Sequence, residues 1–292
     1  MKPFTVSLIG AGRVGATLAM MLHRRGHRIA SIINRSPEAA LRTSRLVDCR
    51  LSSTENADLA PETDLLVIAV PDEQLEAVAA EVAERARLNF HGLVAFHTSG
   101  VHTSDLLDPL AKKGAVTCSI HPIQTFAVGM PVEEQVGTMK GISYGIEGNE
   151  QGRKMAEQIV AALEGNILVV PKEEKISYHL ACVFASNYAV ALLGAVEELT
   201  ASYGGSSTLK HFRTLIESSI ANAVRMSPAK ALTGPIARGS SRVIEAHVSG
   251  LQTRPDLQEL YKSLASWTIE LAQRGRRITP GQAQQLKETL SR

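Results

Sequence analysis

The sequence is short of cysteine, has no surplus of charge and shows no secretory leader, and each shortage removes a class of protein. Cys49, Cys118 and Cys182 lie far apart without CxxC spacing, which excludes a disulfide framework and fits reduced thiols in a cytoplasm. The nine histidines form no HExxH pattern, so no metal site is expected. Lys and Arg number 31 against 29 Asp and Glu, a balance that predicts neither a nucleic-acid nor an acidic-membrane partner. Met1 leads straight into the apolar stretch Phe4 to Ile9 without a signal-peptide cleavage pattern, and no apolar run is expected to approach the length of a membrane span. A cytoplasmic location is the expectation.

What is present is 292 residues of ordinary globular composition, enough for two domains. Up to about Val170, short β-branched runs alternate with amphipathic segments, the pattern of a parallel sheet with crossover helices. The strands are expected at Val6 to Ile9, Arg28 to Ile33, Leu65 to Val70, Leu93 to His97, Val116 to Ile120, Ile142 to Ile146 and Ile167 to Val170. Arg13 to Arg25 and Asp72 to Ala86 read as helices between them.

Beyond Val170 the pattern becomes helical. Lys172 to Tyr203 reads as one long helix, stopped by Gly204-Gly205, whose middle is apolar on nearly every face and is expected to be buried. Further helices are expected over Ser206 to Met226, Ser240 to Gly250, Pro255 to Gln273 and Thr279 to Leu290, the last with a capping-box start. The expected fold is α/β: an N-terminal Rossmann-type doubly wound sheet (1–170) followed by an all-helical domain (171–292).

Gly10-Ala11-Gly12-Arg13-Val14-Gly15 is GxGxxG placed directly after a strand and opening a helix. Gly10 permits the tight turn, Gly12 lets a pyrophosphate approach the backbone, and Gly15 lets helix and strand pack closely. The next strand ends in Asn34-Arg35-Ser36, where an NAD site would carry Asp or Glu. Arg35 suits a 2′-phosphate, with Asn34 and Ser36 as further donors, so NADP is expected over NAD. Val70-Pro71 is expected to pass beneath the nucleotide.

Ligands of open α/β sheets bind outside the C-terminal strand ends, so His97-Thr98-Ser99-Gly100 and the His121-Pro122-Ile123-Gln124-Thr125-Phe126 run are the first places to look for chemistry. Ser99 is assigned to the cofactor. His121 is either a proton donor or acceptor or a structural residue capping its strand; for His97 and His102 the structural role is preferred. On the long helix, His179, Cys182, Val183, Ser186 and Asn187 share one face, which is expected to look into a cleft between the domains. Thr233 to Gly239 reads as a shaped loop in which Arg238 could clamp an anion.

Taken together, GAGRVG, NRS, HTSG, SIHPIQTF, FASNY and LTGPIARG resemble the Rossmann-like oxidoreductases whose C-terminal half is the domain of unknown function 2520, within the 6-phosphogluconate dehydrogenase-like superfamily. The resemblance implies an NADP-binding domain, a helical domain that supports dimerisation, and transfer of a hydride to or from a small molecule. His121-Pro122 is similar to the His-Pro of prephenate dehydrogenases, where the matching His is catalytic. The long helix is similar to that of ketopantoate and hydroxyisobutyrate dehydrogenases, which carry Lys and Asn there. Asn187 matches the Asn, but Val183 stands four residues before it, leaving His179 as the candidate replacement; Ser240 stands where the family commonly has Asp. A non-catalytic NADP sensor and a prephenate-dehydrogenase-like enzyme are the alternatives.

Overall fold

The computed structural model describes residues 2–204 and 208–292, so Gly205 and Ser206, assigned above to a helix stop and a helix start, lie outside the described residues. The chain forms two compact units, Met1–Tyr188 and Ala189–Arg292. The division falls inside the long helical stretch, beyond the last strand.

In the first unit, parallel strands β1 (Thr5–Ile9), β2 (Arg28–Ile33), β3 (Leu51–Ser53), β4 (Leu65–Ile68), β5 (Val94–His97) and β6 (Val116–Pro122) lie in the order β3-β2-β1-β4-β5-β6. That order reverses direction between β1 and β4, which opens a crevice at their C-terminal ends. Helices α1 (Arg13–Arg24), α2 (Pro37–Leu46), α3 (Leu75–Arg85) and α4 (Asp108–Ala111) are the crossovers. Leu8, Ile32, Val67 and Phe96 pack with α1 and α2 on one face; Ile9, Ile33, Leu66, Ile68 and Ala95 pack with α3 and α4 on the other. Burial on both faces explains why these strands read as continuous apolar runs.

The sheet departs from the expected parallel pattern at its far edge. After α5 (Val132–Thr138), β7 (Ser143–Glu147) runs antiparallel to β6, and β8 (Asn166–Val169), reached through α6 (Glu150–Ala162), runs parallel to β7. The sequence reading also lacked β3, because three residues, Leu-Ser-Ser, show neither apolar periodicity nor β-branching.

Residues Lys172–Thr200 form one helical stretch: a single 3₁₀ turn, α7 (Lys175–Val183), a π-helical turn over Phe184–Tyr188, and α8 (Ala189–Thr200). Contrary to both expectations it is not buried and, by length and composition alone, it is long and apolar enough to span a membrane. Ile176, Leu180, Phe184 and Tyr188, one side of the α7 segment, are all exposed. The other side is tethered at its first turn. Lys175 is only 2% exposed and its ammonium donates to Ser99 O (3.2 Å) and Ser119 Oγ (2.9 Å), fixing α7 to the ends of β5 and β6. Tyr178, one turn on, crosses β7 at Gly145, where a Cβ would overlap the phenol ring.

The second unit continues with α9 (Leu209–Met226), α10 (Pro228–Ala231), α11 (Gly234–Ala237), α12 (Ser241–Gly250), α13 (Pro255–Arg274) and α14 (Pro280–Ser291). Ile236, Ile244, Ile269 and Leu286 centre its core. The stretch read as a loop around Arg238 contains the short helix α11, and the Thr279 capping box opens α14 as expected.

Replacing Lys175 by Ala removes a buried stem and leaves the Ser99 carbonyl short of a donor. Urea denaturation of Lys175→Ala is expected to show a loss of about 2–5 kcal/mol, and Lys175→Met, which keeps the volume without a charge to desolvate, a smaller one. No loss in Lys175→Met would mean that the ammonium bonds do not matter to the fold.

Candidate active site

At the switch point lies a cleft of about 740 Å3 lined by Gly10, Gly12, Asn34, Arg35, Ser36, Val70, Pro71 and, from α3, Gln74, Val78 and Glu81. Gly10 holds φ +97°, a conformation favouring glycine, and its N–H is bound by Ile33 O. Gly12 faces open space: a Cβ built there meets nothing within 4 Å. It precedes α1 without any side-chain cap, and the first turn of α1 carries no acidic residue. Uncapped N–H groups at a helix start beside an open glycine form an anion cradle, which fits a pyrophosphate.

The Asn34-Arg35-Ser36 turn divides its labour. Asn34 Oδ1 accepts the Ala11 N–H (2.9 Å), clamping the glycine loop to the end of β2. Ser36 Oγ caps α2 by accepting the Ala39 N–H and donates to Glu38 (2.6 Å). The hydroxyl proton expected for an anionic ligand is thus already used, and a carboxylate stands nearby that sequence reasoning had taken to be absent. Arg35 remains the cation of the cleft, with Gln74 within 3.1 Å of its guanidinium when the amide oxygen faces it. Arg13 lines a separate groove with Arg42 and Glu133, and Val14 packs against the core.

Past β5 and β6 the polar groups are wired together. His97, fully buried, accepts the Ser99 N–H at Nδ1 (3.2 Å) and donates from Nε2 to Thr103 O (3.0 Å), so it is a structural residue. Ser99 Oγ accepts the His102 N–H, and its carbonyl takes Lys175 and Ser119. Ser99 is therefore engaged in this network and does not line the cleft. Glu147 of β7, also buried, accepts the Ser104 N–H and hydroxyl.

A second pocket, about 320 Å3, is lined by His121, Gln124 and Thr125 from the end of β6 and by His179, Cys182, Val183, Ser186 and Asn187 from the helix. All five residues read from the sequence as one helical face meet here. The π turn contains Ser186 and Asn187; Ser186 Oγ donates its one proton to Cys182 O (2.7 Å) and stands 2.9 Å from the Asn187 side-chain amide. Such turns commonly mark functional sites. The lining holds no Lys or Arg, and Arg238 is exposed on the second unit.

His121 sits at the centre. Its Nδ1 is 2.6 Å from the Tyr178 hydroxyl, its ring is 6.3 Å from that of His179, and its Nε2 faces Gly100, where a Cβ would intrude at 3.0 Å. Burial, helped by the charges of Lys175 and His179, pushes its imidazole down to about 4. Burial likewise brings Lys175 down to about 8 and His97 to about 4. Sequence reasoning looked for the lysine at position 183 and missed Lys175 and Tyr178. The available signal was Lys175-x-x-Tyr178-His179, whose i, i+3, i+4 spacing puts all three on one side of α7.

His97 and His121 bind protons more weakly folded than unfolded, so their contribution is complete above pH 6.5 and is lost as the pH falls toward 4. For fully buried His97 that is on the order of 3 kcal/mol. Unfolding free energy is expected to fall across this window, and less so in His97→Gln; an equal fall in that variant would show that His97 does not titrate this way.

Residues 2–122 match the Rossmann-like domain and residues 142–268 match the domain of unknown function 2520. A search of curated protein sequences returns no match. Among solved structures, a Bacteroides fragilis protein provisionally named an NADP oxidoreductase is 25% identical, with 90% of this chain and 96% of that one covered at TM-score 0.73. A Thermotoga maritima protein is also 25% identical, with coverage of 93% and 100% and TM-score 0.72. The Aspergillus terreus reductive aminase, solved with NADPH and ethyl levulinate, shares the fold at 14% identity, coverage of 98% and 99% and TM-score 0.67. The chain thus joins a Rossmann-like N-terminal domain to a C-terminal domain of unknown function 2520.

Proposed function

We propose that the protein is an NADP-dependent oxidoreductase acting on a small molecule held in the His121 pocket. The observation that carries this is the switch-point cleft, with its uncapped α1 start, open Gly12 and one cation, Arg35, at the position that receives the ribose of a dinucleotide. Bound there, NADP in its reduced form supplies a hydride and in its oxidised form accepts one.

The chain's own residues do the rest. The first-turn N–H groups of α1 hold the pyrophosphate, and Arg35 pairs with the 2′-phosphate. Val70 and Pro71 line the nucleotide path. His121 serves the substrate heteroatom through Nε2, while Asn187 and His179 orient the substrate. Lys175 touches neither ligand; it sets the position of Ser99-Gly100 against the pocket. A lining without Lys or Arg favours a small uncharged substrate over the carboxylate that a prephenate-dehydrogenase-like enzyme would take.

Calorimetric titration is expected to show NADPH bound at least about ten-fold tighter than NADH, a difference of about 1.4 kcal/mol that disappears in Arg35→Ala. Equal affinity in the wild type would remove the case for NADP, and binding of neither would remove the case for a nicotinamide cofactor.

A homodimer is part of the same proposal. Ile176, Leu180, Phe184 and Tyr188 on the helix form an exposed apolar row that a second copy would cover. Sedimentation at micromolar concentration is expected to give a dimer that Phe184→Asp weakens; a wild-type monomer would defeat this part.

A further inference from the structure

We propose that Tyr178 is a positioning residue that locks the proton of neutral His121 onto Nε2, so that the site presents a hydrogen-bond donor and takes a substrate whose reacting heteroatom is an acceptor, such as a carbonyl oxygen, in preference to an iminium. The inference rests on the oxidoreductase reading and names the substrate class of that same pocket.

The Tyr178 hydroxyl has one proton to place. At 2.6 Å stands His121 Nδ1, a strong acceptor; the other neighbour is the thiol of Cys182, a weak one. Burial and Cys182 both push the phenol upward, so it keeps its proton and offers it. The two rings meet edge to face, 86° apart with centroids at 5.6 Å, and Gly145 admits the phenol by lacking a Cβ. A neutral imidazole that accepts at Nδ1 carries its proton at Nε2. That nitrogen has no protein partner among the described residues, and the ring lines the pocket.

The other charges agree. Lys175 lies 5.8 Å from the centre of the Tyr178 ring, and its ammonium together with His179 and His97 opposes a further proton on His121, with Asp72 the one group acting the other way. The Lys175 ammonium likewise opposes a cationic substrate. An iminium nitrogen has no lone pair for Nε2–H, whereas a carbonyl oxygen accepts it more strongly as charge develops there. In such a reduction the hydride pair from the nicotinamide forms the new C–H bond, the C=O π pair moves onto oxygen, and a solvent proton completes the hydroxyl. His121 keeps its own proton throughout.

The test is 15N NMR of histidine-labelled full-length protein at pH 7, with the His121 resonances assigned by comparison with His121→Gln. The expected spectrum shows the neutral Nε2–H form with a hydrogen-bonded Nδ1, and Tyr178→Phe shifts His121 to a mixture of tautomers. A Nδ1–H form or an imidazolium in the wild type overturns the proposal without need of any variant, so it stays testable even if Tyr178→Phe fails to fold. An unchanged Nε2–H signal in a folded Tyr178→Phe overturns the role of Tyr178. Failure of the oxidoreductase reading looks different: the Nε2–H spectrum is present but NADPH does not bind, and the substrate assignment then falls while the tautomer lock stands.

Discussion

A buried ammonium that must find acceptors organises the functional end of the first unit. Lys175 cannot enter the protein without partners, because a desolvated charge left unpaired costs several kcal/mol. Its acceptors are Ser99 O, just past the end of β5, and Ser119 Oγ, within the neighbouring β6 and paired to the last residue of β5. Satisfying it docks α7 across the C-terminal edge of the sheet in one register. Tyr178 and His179, on the same side of the helix, are thereby brought to His121, and the π turn follows at the height of Ser186 and Asn187.

The loop after β5 is the counterpart of that anchor. His97, Ser99, His102, Ser104 and Glu147 exchange hydrogen bonds within a few ångströms, leaving few donors for a ligand. A rigid loop lets Gly100 stand close to two imidazoles, an approach that a side chain at that position would prevent. The cleft at the switch point is built differently. Its polar groups lie on backbone N–H and on Arg35, while Asn34 and Ser36 hold the frame.

The Rossmann half was legible because its signals are local. Gly10, Gly12 and Gly15 sit within one turn, and strands buried on both faces announce themselves as apolar runs. β3 was invisible because three residues at a sheet edge need no pattern. Burial of the long helix was misjudged because an all-round apolar sequence shows that a face must be covered, not that its own chain covers it. The surroundings of the His121 pocket were half legible: the face from His179 to Asn187 follows from helical spacing, but the buried anchor Lys175, outside the lining, was not read.

By itself the sequence determined the main strands and helices other than β3, the glycine turn before α1 and the helical face that carries Asn187, because each depends on residues a few positions apart. Tertiary structure alone decided that Ser36 and Asn34 are occupied by their own chain, that Lys175 is buried, and that Tyr178 meets His121. Those outcomes depend on groups 57 and 76 residues apart in sequence, as with His121 to Tyr178 and Ser99 to Lys175. No periodicity records such a separation; only the packing of α7 on the strand ends closes it.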